Sequence, residues 1–222
     1  LRPEGTAGTM RAYLEKKHEL TSPCNLFSFG PMFRYERPQK GRLRQFHQVN
    51  IESIGVTSIQ YDAFFIQMLH KLFLETLKIT EFVLMINFLG TPEDREQYKK
   101  ALYSFLESYA DQICTTCQER KESNILRVLD CKSESCQNIY DSAPIITDHL
   151  SEQSIQEWAL LQDQLQQLSV TFTVNPRLVR GLDYYNKTVF EFVGMTLGAQ
   201  DTFCGGGRYD GLSEQLGSKE PV

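Results

Sequence analysis

The chain has 222 residues, 41% of them hydrophobic and 23% charged, which permits a buried core and excludes a disordered composition. A formal net charge of −5 excludes a generally basic nucleic-acid binder and confines any polyanion contact to a local patch. No apolar run approaches the roughly eighteen residues of a membrane span, no signal-peptide pattern opens the chain, and six cysteines at this length fit reduced thiols in the cytoplasm. The chain starts at Leu1 rather than at a Met, inside sequence of structured character, so a fragment of a longer protein is expected.

In chain order, "TMRAYLEKKHEL" predicts a short helix from near Thr9. "CNLFSFGPMFRYE" has strand density, with Gly30-Pro31 expected to mark a bend. "PQKGR" is turn chemistry, and "QFHQVNIESIG" alternates, Phe46, Gln48, Asn50 and Glu52 on one side and His47, Val49, Ile51 and Ser53 on the other. Together these make an antiparallel hairpin with a basic tip. Residues 58–79 place Ile59, Ile66, Leu69, Phe73 and Leu77 on one helical stripe, and "EFVLMINFLG" reads as a buried strand. Polarity and helical character then rise from Pro92 to about Gln167, before strand composition returns in "VTFTVN", "KTVFEFV" and "DTFCGGG", with a helix expected just after the glycines. The expected fold class is α+β, a mostly antiparallel sheet flanked by helices, with residues 92–168 as a mainly helical insertion between 1–91 and 169–222.

Four stretches carry candidate chemistry. On the hairpin, Arg34 and Glu36 share a strand face that Phe46, Gln48 and Glu52 can join. A guanidinium, a carboxylate, a ring and an amide on one surface suit a nucleotide. An edge hairpin whose charges ward off aggregation would look the same, and spacing leaves both readings open. "RGLDYYNKTVFEF" crowds a carboxylate and two phenols near a turn at Arg180-Gly181, where ordinary aromatic packing is the simpler reading. The glycines of "CGGGRYDGL" would allow close backbone approach to an anion at a helix N-terminus, or equally tight sheet packing. Cys114 and Cys117 form a CxxC and Cys131 and Cys136 follow; four thiolates would suit zinc, but the reading adopted is free reduced thiols, with no metal ligand assigned. The four histidines fall in no HExxH or triad-like pattern, and there is no phosphate-binding GxxxxGK[ST].

"FRYERPQKGRLRQFHQVNIESIG" resembles the second motif of class II aminoacyl-tRNA synthetases. "LRPEGT" resembles the substrate loop of the histidyl-tRNA synthetases, and "RLVRGLDYYNKTVFEF" and "GGGRYDGL" resemble their two histidine-specific signatures. Four matches in order over nearly the whole chain are similar to the bacterial type of that family. The resemblance implies that the first class II motif lies before Leu1, and that the third motif and the anticodon-binding domain follow Val222. The chain would then be the middle of a catalytic domain, weakly active or inactive in isolation.

The resemblance also implies activation of L-histidine by ATP, with magnesium, to histidyl-adenylate, and transfer to tRNA(His) by a cytoplasmic enzyme that is a homodimer at full length. It puts Arg34 and Arg180 at the α-phosphate as the catalytic pair, Glu36 at the adenine amine, Phe46 stacked on adenine and Arg42 at the β- or γ-phosphate. It puts Glu4 and Gln48 at the substrate's α-amino group with Thr6 close by, Glu52 and Tyr185 at the imidazole nitrogens, and Tyr184 and Tyr209 as pocket walls. The loop tip is expected to approach the tRNA acceptor end. A non-catalytic relative, such as the regulatory subunit of histidine biosynthesis, is the alternative. It would be expected to lose the arginine-bearing motifs, and Arg34 and Arg180 both remain.

Overall fold

A computed structural model describes residues 1–37, 42–195 and 202–219. The turn expected over Pro38 to Gly41, with Lys40 at the basic tip, lies outside the described residues. Helix α1 spans Thr6–Lys16, three residues earlier than expected, because the Glu4 carboxylate accepts the backbone N–H of Thr6 at 2.5 Å and of Ala7 at 3.0 Å. That satisfies donors the first helical turn leaves orphaned.

Strands β1 (Cys24–Phe33) and β2 (Gln45–Ile54) pair antiparallel over their full length, from Cys24 opposite Ile54 to Phe33 opposite Gln45. The expected bend at Gly30-Pro31 does not occur, since Gly30 pairs with Gln48 and Pro31 with His47 in unbroken register. A two-stranded ribbon has an edge on every strand, and there proline's missing N–H is tolerated. Alternation in β2 is as expected: Asn50, Glu52 and Ile54 are buried, while His47 and Val49 face out.

Helix α2 (Ile59–Lys71) buries Ile59, Ala63, Ile66 and Leu69 and runs into a π-helical turn, Leu72–Thr76. Phe73 stays buried, but Leu77, expected on the same stripe, is 54% exposed. The extra residue per π turn rotates the face by most of a side-chain position, and the Leu77 N–H bonds back to the Leu72 carbonyl.

The main sheet has strand order β4-β3-β5-β6. Its strands are β3 (Phe82–Phe88), β4 (Thr173–Val174), β5 (Asn186–Gly194) and β6 (Thr202–Arg208). Only β4 runs parallel to its neighbour. Between β3 and β4 the described regular elements are all helical: α3 (Pro92–Glu107), α4 (Thr115–Ser123), α5 (Glu134–Tyr140), α6 (Glu152–Gln167) and two 3-10 turns. Helices α2 and α6 pack on one face of the sheet, where Ile66, Leu69 and Phe73 meet Leu84, Ile86, Phe88, Leu161, Leu165, Phe190 and Phe192. Helices α3 to α5 build a second core with Val128, Leu129, Leu178, Val179, Tyr185 and Val189. A third small cluster, Met10, Tyr13, Ile54 and Leu212, seats α1 against the hairpin.

The glycine triplet departs from expectation. Gly205, Gly206 and Gly207 lie inside β6, and the following helix α7 (Leu212–Gln215) starts later and is only four residues long. A Cβ on Gly205 would sit 2.7 Å from Arg180 Nη1, and one on Gly207 would sit 2.4 Å from the Thr188 carbonyl. The triplet makes room for neighbours rather than forming a helix-end anion cradle.

Candidate active site

The hairpin face, the residues after α6 and strands β5 and β6 enclose a cavity of about 980 Å³. All twelve sequence-predicted site residues line it: Glu4, Thr6, Arg34, Glu36, Arg42, Phe46, Gln48, Glu52, Arg180, Tyr184, Tyr185 and Tyr209. They come from segments up to 205 positions apart (Glu4 to Tyr209), and strand alternation is what turns the β2 members inward.

At one end sits Glu52, 5% exposed, on β2. Its Oε1 accepts from Thr6 Oγ1 at 2.8 Å and its Oε2 from Tyr209 Oη at 2.6 Å. Burial raises its pKa above the ordinary carboxylate value; the Tyr209 and Thr6 hydrogen bonds pull it back and the nearby Glu4 charge adds to the rise. Each oxygen keeps a lone pair for a further N–H donor. Tyr184, Tyr185 and Tyr209 form a ring cluster, with centroids 4.7 Å, 5.9 Å and 6.4 Å apart. Burial is the first cause of the upward pKa shift of all three phenols, so they stay neutral hydrogen-bonding groups. Tyr184 Oη donates to Glu4 Oε2 at 3.4 Å, which ties the helix-capping carboxylate into the same wall.

Arg180 crosses the cavity wall over β6, with its Cζ 5.8 Å from the Tyr185 ring centroid and Nη1 paired with Glu191. Glu191 Oε2 also accepts from Thr202 Oγ1 at 2.9 Å. Arg34 lies with Cζ 4.9 Å from the Phe46 ring centroid and donates Nε–H to the Pro3 carbonyl at 2.8 Å. Arg42 Nε pairs with Glu36 Oε2 at 2.9 Å. Among the described residues that line the cavity, three carry a buried polar atom with no hydrogen-bond partner: Gln48 Oε1, an acceptor, Arg180 Nε, a donor, and Ser53 Oγ on the opposite face of β2.

Sequence reasoning missed four participants, Glu191, Arg208, Asp62 and Thr188. Glu191 balances Arg180; its signal was a lone charge in the apolar strand "TVFEFV". Arg208 at the end of β6 is held by Asp62 of α2, Nη2 to Oδ1 at 2.6 Å and Nε to Oδ2 at 3.2 Å. Thr188 Oγ1 donates to the same carboxylate at 2.6 Å. Nothing in the sequence links positions 146 residues apart. This buried pair pins the strand that carries the glycines to the helix behind it. Cys114, Cys117, Cys131 and Cys136 converge on one another instead and do not line this cavity.

The family profile described as histidyl-tRNA synthetase matches residues 1–222. A histidine–tRNA ligase of Thermodesulfovibrio yellowstonii is 49% identical over 218 residues, covering 98% of this chain and 52% of that protein. One from Clostridioides difficile is 45% identical over 223 residues, covering 100% of this chain and 53% of that protein. The crystal structure of the apo Staphylococcus aureus histidyl-tRNA synthetase superposes with a TM-score of 0.75 at 35% identity, over 97% of this chain and 52% of that one. The fold and the arginine-bearing hairpin are those of an aminoacyl-tRNA synthetase core. Within that class, the chain belongs to the histidyl-tRNA synthetase family. It spans about half the length of the curated relatives it matches.

Proposed function

We propose that this chain carries the histidine- and ATP-binding part of a histidine–tRNA ligase. One observation carries the reading. Gln48 and Arg180 line one cavity, and each carries a buried polar atom, the acceptor Gln48 Oε1 and the donor Arg180 Nε, that has no partner among the described residues, at a cost of about 1–3 kcal/mol each. A zwitterion joined to a phosphate meets both: its ammonium donates to Gln48 and Glu4, and its phosphate accepts from Arg180.

In the proposed reaction a histidine carboxylate oxygen attacks the α-phosphorus of ATP, the bond to the bridging oxygen breaks and pyrophosphate leaves. Arg34 and Arg180 stabilise the charge that develops on the α-phosphoryl oxygens, and Arg42 meets the outer phosphates. Phe46 offers a stacking face to adenine and Glu36 an acceptor for its amine. Glu52 and Tyr185 take the imidazole nitrogens, with Thr6, Tyr184 and Tyr209 holding them in position. A site that hydrogen-bonds both ring nitrogens rejects isosteres lacking them by leaving its own buried groups unpaired. Magnesium would arrive with ATP and be held by its phosphates. Among the described residues the one convergent set of ionisable ligand groups is four cysteines, whose soft sulfurs do not suit it. The terminal hydroxyl of tRNA(His) then displaces AMP from the adenylate.

The same reading assigns residues 1–91 and 169–222 to two parts of the catalytic core and 92–168 to a helical insertion, within a cytoplasmic homodimer at full length. The test is histidine-dependent ATP–pyrophosphate exchange by the full-length protein, wild type against Arg180→Ala. The variant should lose turnover while its KM for histidine stays nearly constant, because the charge Arg180 meets develops at phosphorus. No exchange by the wild type removes the ligase reading in favour of a non-catalytic relative. A variant altered only in its KM for histidine removes the role given to Arg180.

A further inference from the structure

We propose that Cys114, Cys117, Cys131 and Cys136 form a structural zinc site in the helical lobe. Their four Sγ atoms lie within 4.8 Å of one another. A tetrahedral tetrathiolate with Zn–S bonds of about 2.3 Å has S–S edges of about 3.8 Å. The Cys114 and Cys131 sulfurs already stand 3.8 Å apart, and the widest separation needs to close by only about 1 Å.

The thiols come from three separate places. Cys114 is the N-cap of α4 and Cys117 lies in its first turn; Cys131 follows the 3-10 turn Ile125–Asp130; Cys136 is in α5. Chance packing of small apolar groups does not require three chain segments to aim sulfur at one point. Two backbone donors are already in place for sulfur as an acceptor. The Cys114 N–H points at Cys136 Sγ at 3.2 Å, and the Ser133 N–H points at Cys131 Sγ at 3.4 Å. Such bonds stabilise thiolate over thiol. Four thiolates fill a tetrahedral shell, and with Cys117 and Cys136 fully buried, Cys131 9% exposed and Cys114 half-buried the site is structural rather than catalytic. The separation of 3.8 Å is nearly twice the about 2.05 Å of a disulfide, and all six cysteines of the chain are free.

Packing explains what the site would do. Cys117, Cys131 and Cys136 share a core with Leu178, Val179 and Tyr185, the residues on either side of Arg180. Asn124 at the end of α4 donates to Asp183 at 2.6 Å, and Arg177 pairs with Asp141 at 3.0 Å. The lobe is thus the platform beneath the segment that carries Arg180. Zinc would cross-link α4, the 3-10 turn and α5, three short elements, and so stiffen that platform. Binding replaces the thiol protons by the metal and releases them to solvent.

The test is elemental analysis of the reduced protein together with alkylation footprinting by mass spectrometry. One equivalent of zinc per chain is expected, lost in Cys117→Ser and Cys136→Ser and retained in Cys24→Ser. Cobalt(II) in its place should give the intense visible absorption of a tetrahedral thiolate complex. Footprinting of the wild type keeps the proposal testable even where the serine variants fold poorly. The four cysteines should be protected together and released together by a chelator, while Cys24 labels at the same rate throughout. The proposal is overturned by reduced protein that neither contains zinc nor gains protection from added zinc. Zinc that survives Cys136→Ser, or native protein whose four cysteines are paired as disulfides, overturns it equally.

Discussion

Gly205→Ala displaces a single functional group and leaves the fold in place. The new Cβ would stand 2.7 Å from Arg180 Nη1, 2.9 Å from Cζ and 3.0 Å from Nη2. Ordinary contact begins near 3.5 Å, so the guanidinium must retreat by about 0.8 Å or more. It is the far end of a flexible side chain and can do so without moving backbone. The strand loses nothing, and restricting the unfolded chain returns about 0.4–1 kcal/mol, so the unfolding free energy should stay within about 1 kcal/mol of wild type. In the role proposed for Arg180, a group that must meet charge at phosphorus has no such latitude, because a misplacement of about 1 Å costs on the order of a hundredfold in rate, or about 2.7 kcal/mol of barrier. Histidine-dependent ATP–pyrophosphate exchange should therefore fall about a hundredfold while the urea midpoint barely moves. Gly207→Ala is the contrast. Its Cβ would meet the Thr188 carbonyl at 2.4 Å, backbone that cannot swing aside, so about 1–3 kcal/mol of stability should be lost. Full exchange activity in a folded Gly205→Ala protein would refute the placement of Arg180 against the reacting phosphate.

Two further outcomes follow from the same geometry. Asp94 accepts from the Thr91 N–H at 2.9 Å, the Ser151 N–H at 2.8 Å and Ser154 Oγ at 2.5 Å, joining the N-termini of α3 and α6. Asp94→Ala should cost about 3 kcal/mol in denaturant unfolding, and a loss under about 1 kcal/mol would show that the junction is not stabilising. Burial alone would raise the Asp94 pKa, but the hydrogen bonds from Ser154, Thr91 and Ser151 outweigh it and hold the carboxyl below its ordinary range. Its contribution is therefore present above the unfolded-state pKa and is lost as pH falls toward the folded one. Glu52 has the opposite sign: burial raises its folded-state pKa, so it costs stability as pH climbs from the ordinary carboxylate value to the folded one. Glu52→Gln should flatten stability against pH in that window and abolish histidine binding by calorimetry; an unchanged slope would show that the carboxyl is not desolvated.

The hairpin was legible because its message is local and periodic. Gln48, Asn50 and Glu52 fall at every second position of a strand with one wet side, so their common face follows from geometry alone. The helical run from Pro92 announced itself by its charged, helix-forming composition. What escaped depended on contacts that no spacing encodes. Glu4 begins α1 from outside it. The π turn moved Leu77 off a stripe that 3.6-residue periodicity placed it on. The glycines of β6 are explained by Arg180 and Thr188, which reach them from elsewhere in the chain. The twelve candidate residues were gathered by resemblance and then found on one cavity, whereas the carboxylate counterweights of its arginines, Glu191 beside Arg180 and Asp62 beside Arg208, entered only with the structure.

Those counterweights bear on turnover. Two of the three arginines proposed to meet phosphate have a resident carboxylate: Arg42 has Glu36 and Arg180 has Glu191. On the proposed reaction, an arriving polyphosphate would trade places with an acidic side chain instead of falling into a bare positive well. The gain on binding is the difference between two ion pairs, which keeps affinity moderate. The same exchange runs backwards when the leaving group departs, because each guanidinium is handed to a neighbour already in place. A site balanced in this way does not become trapped by its own product.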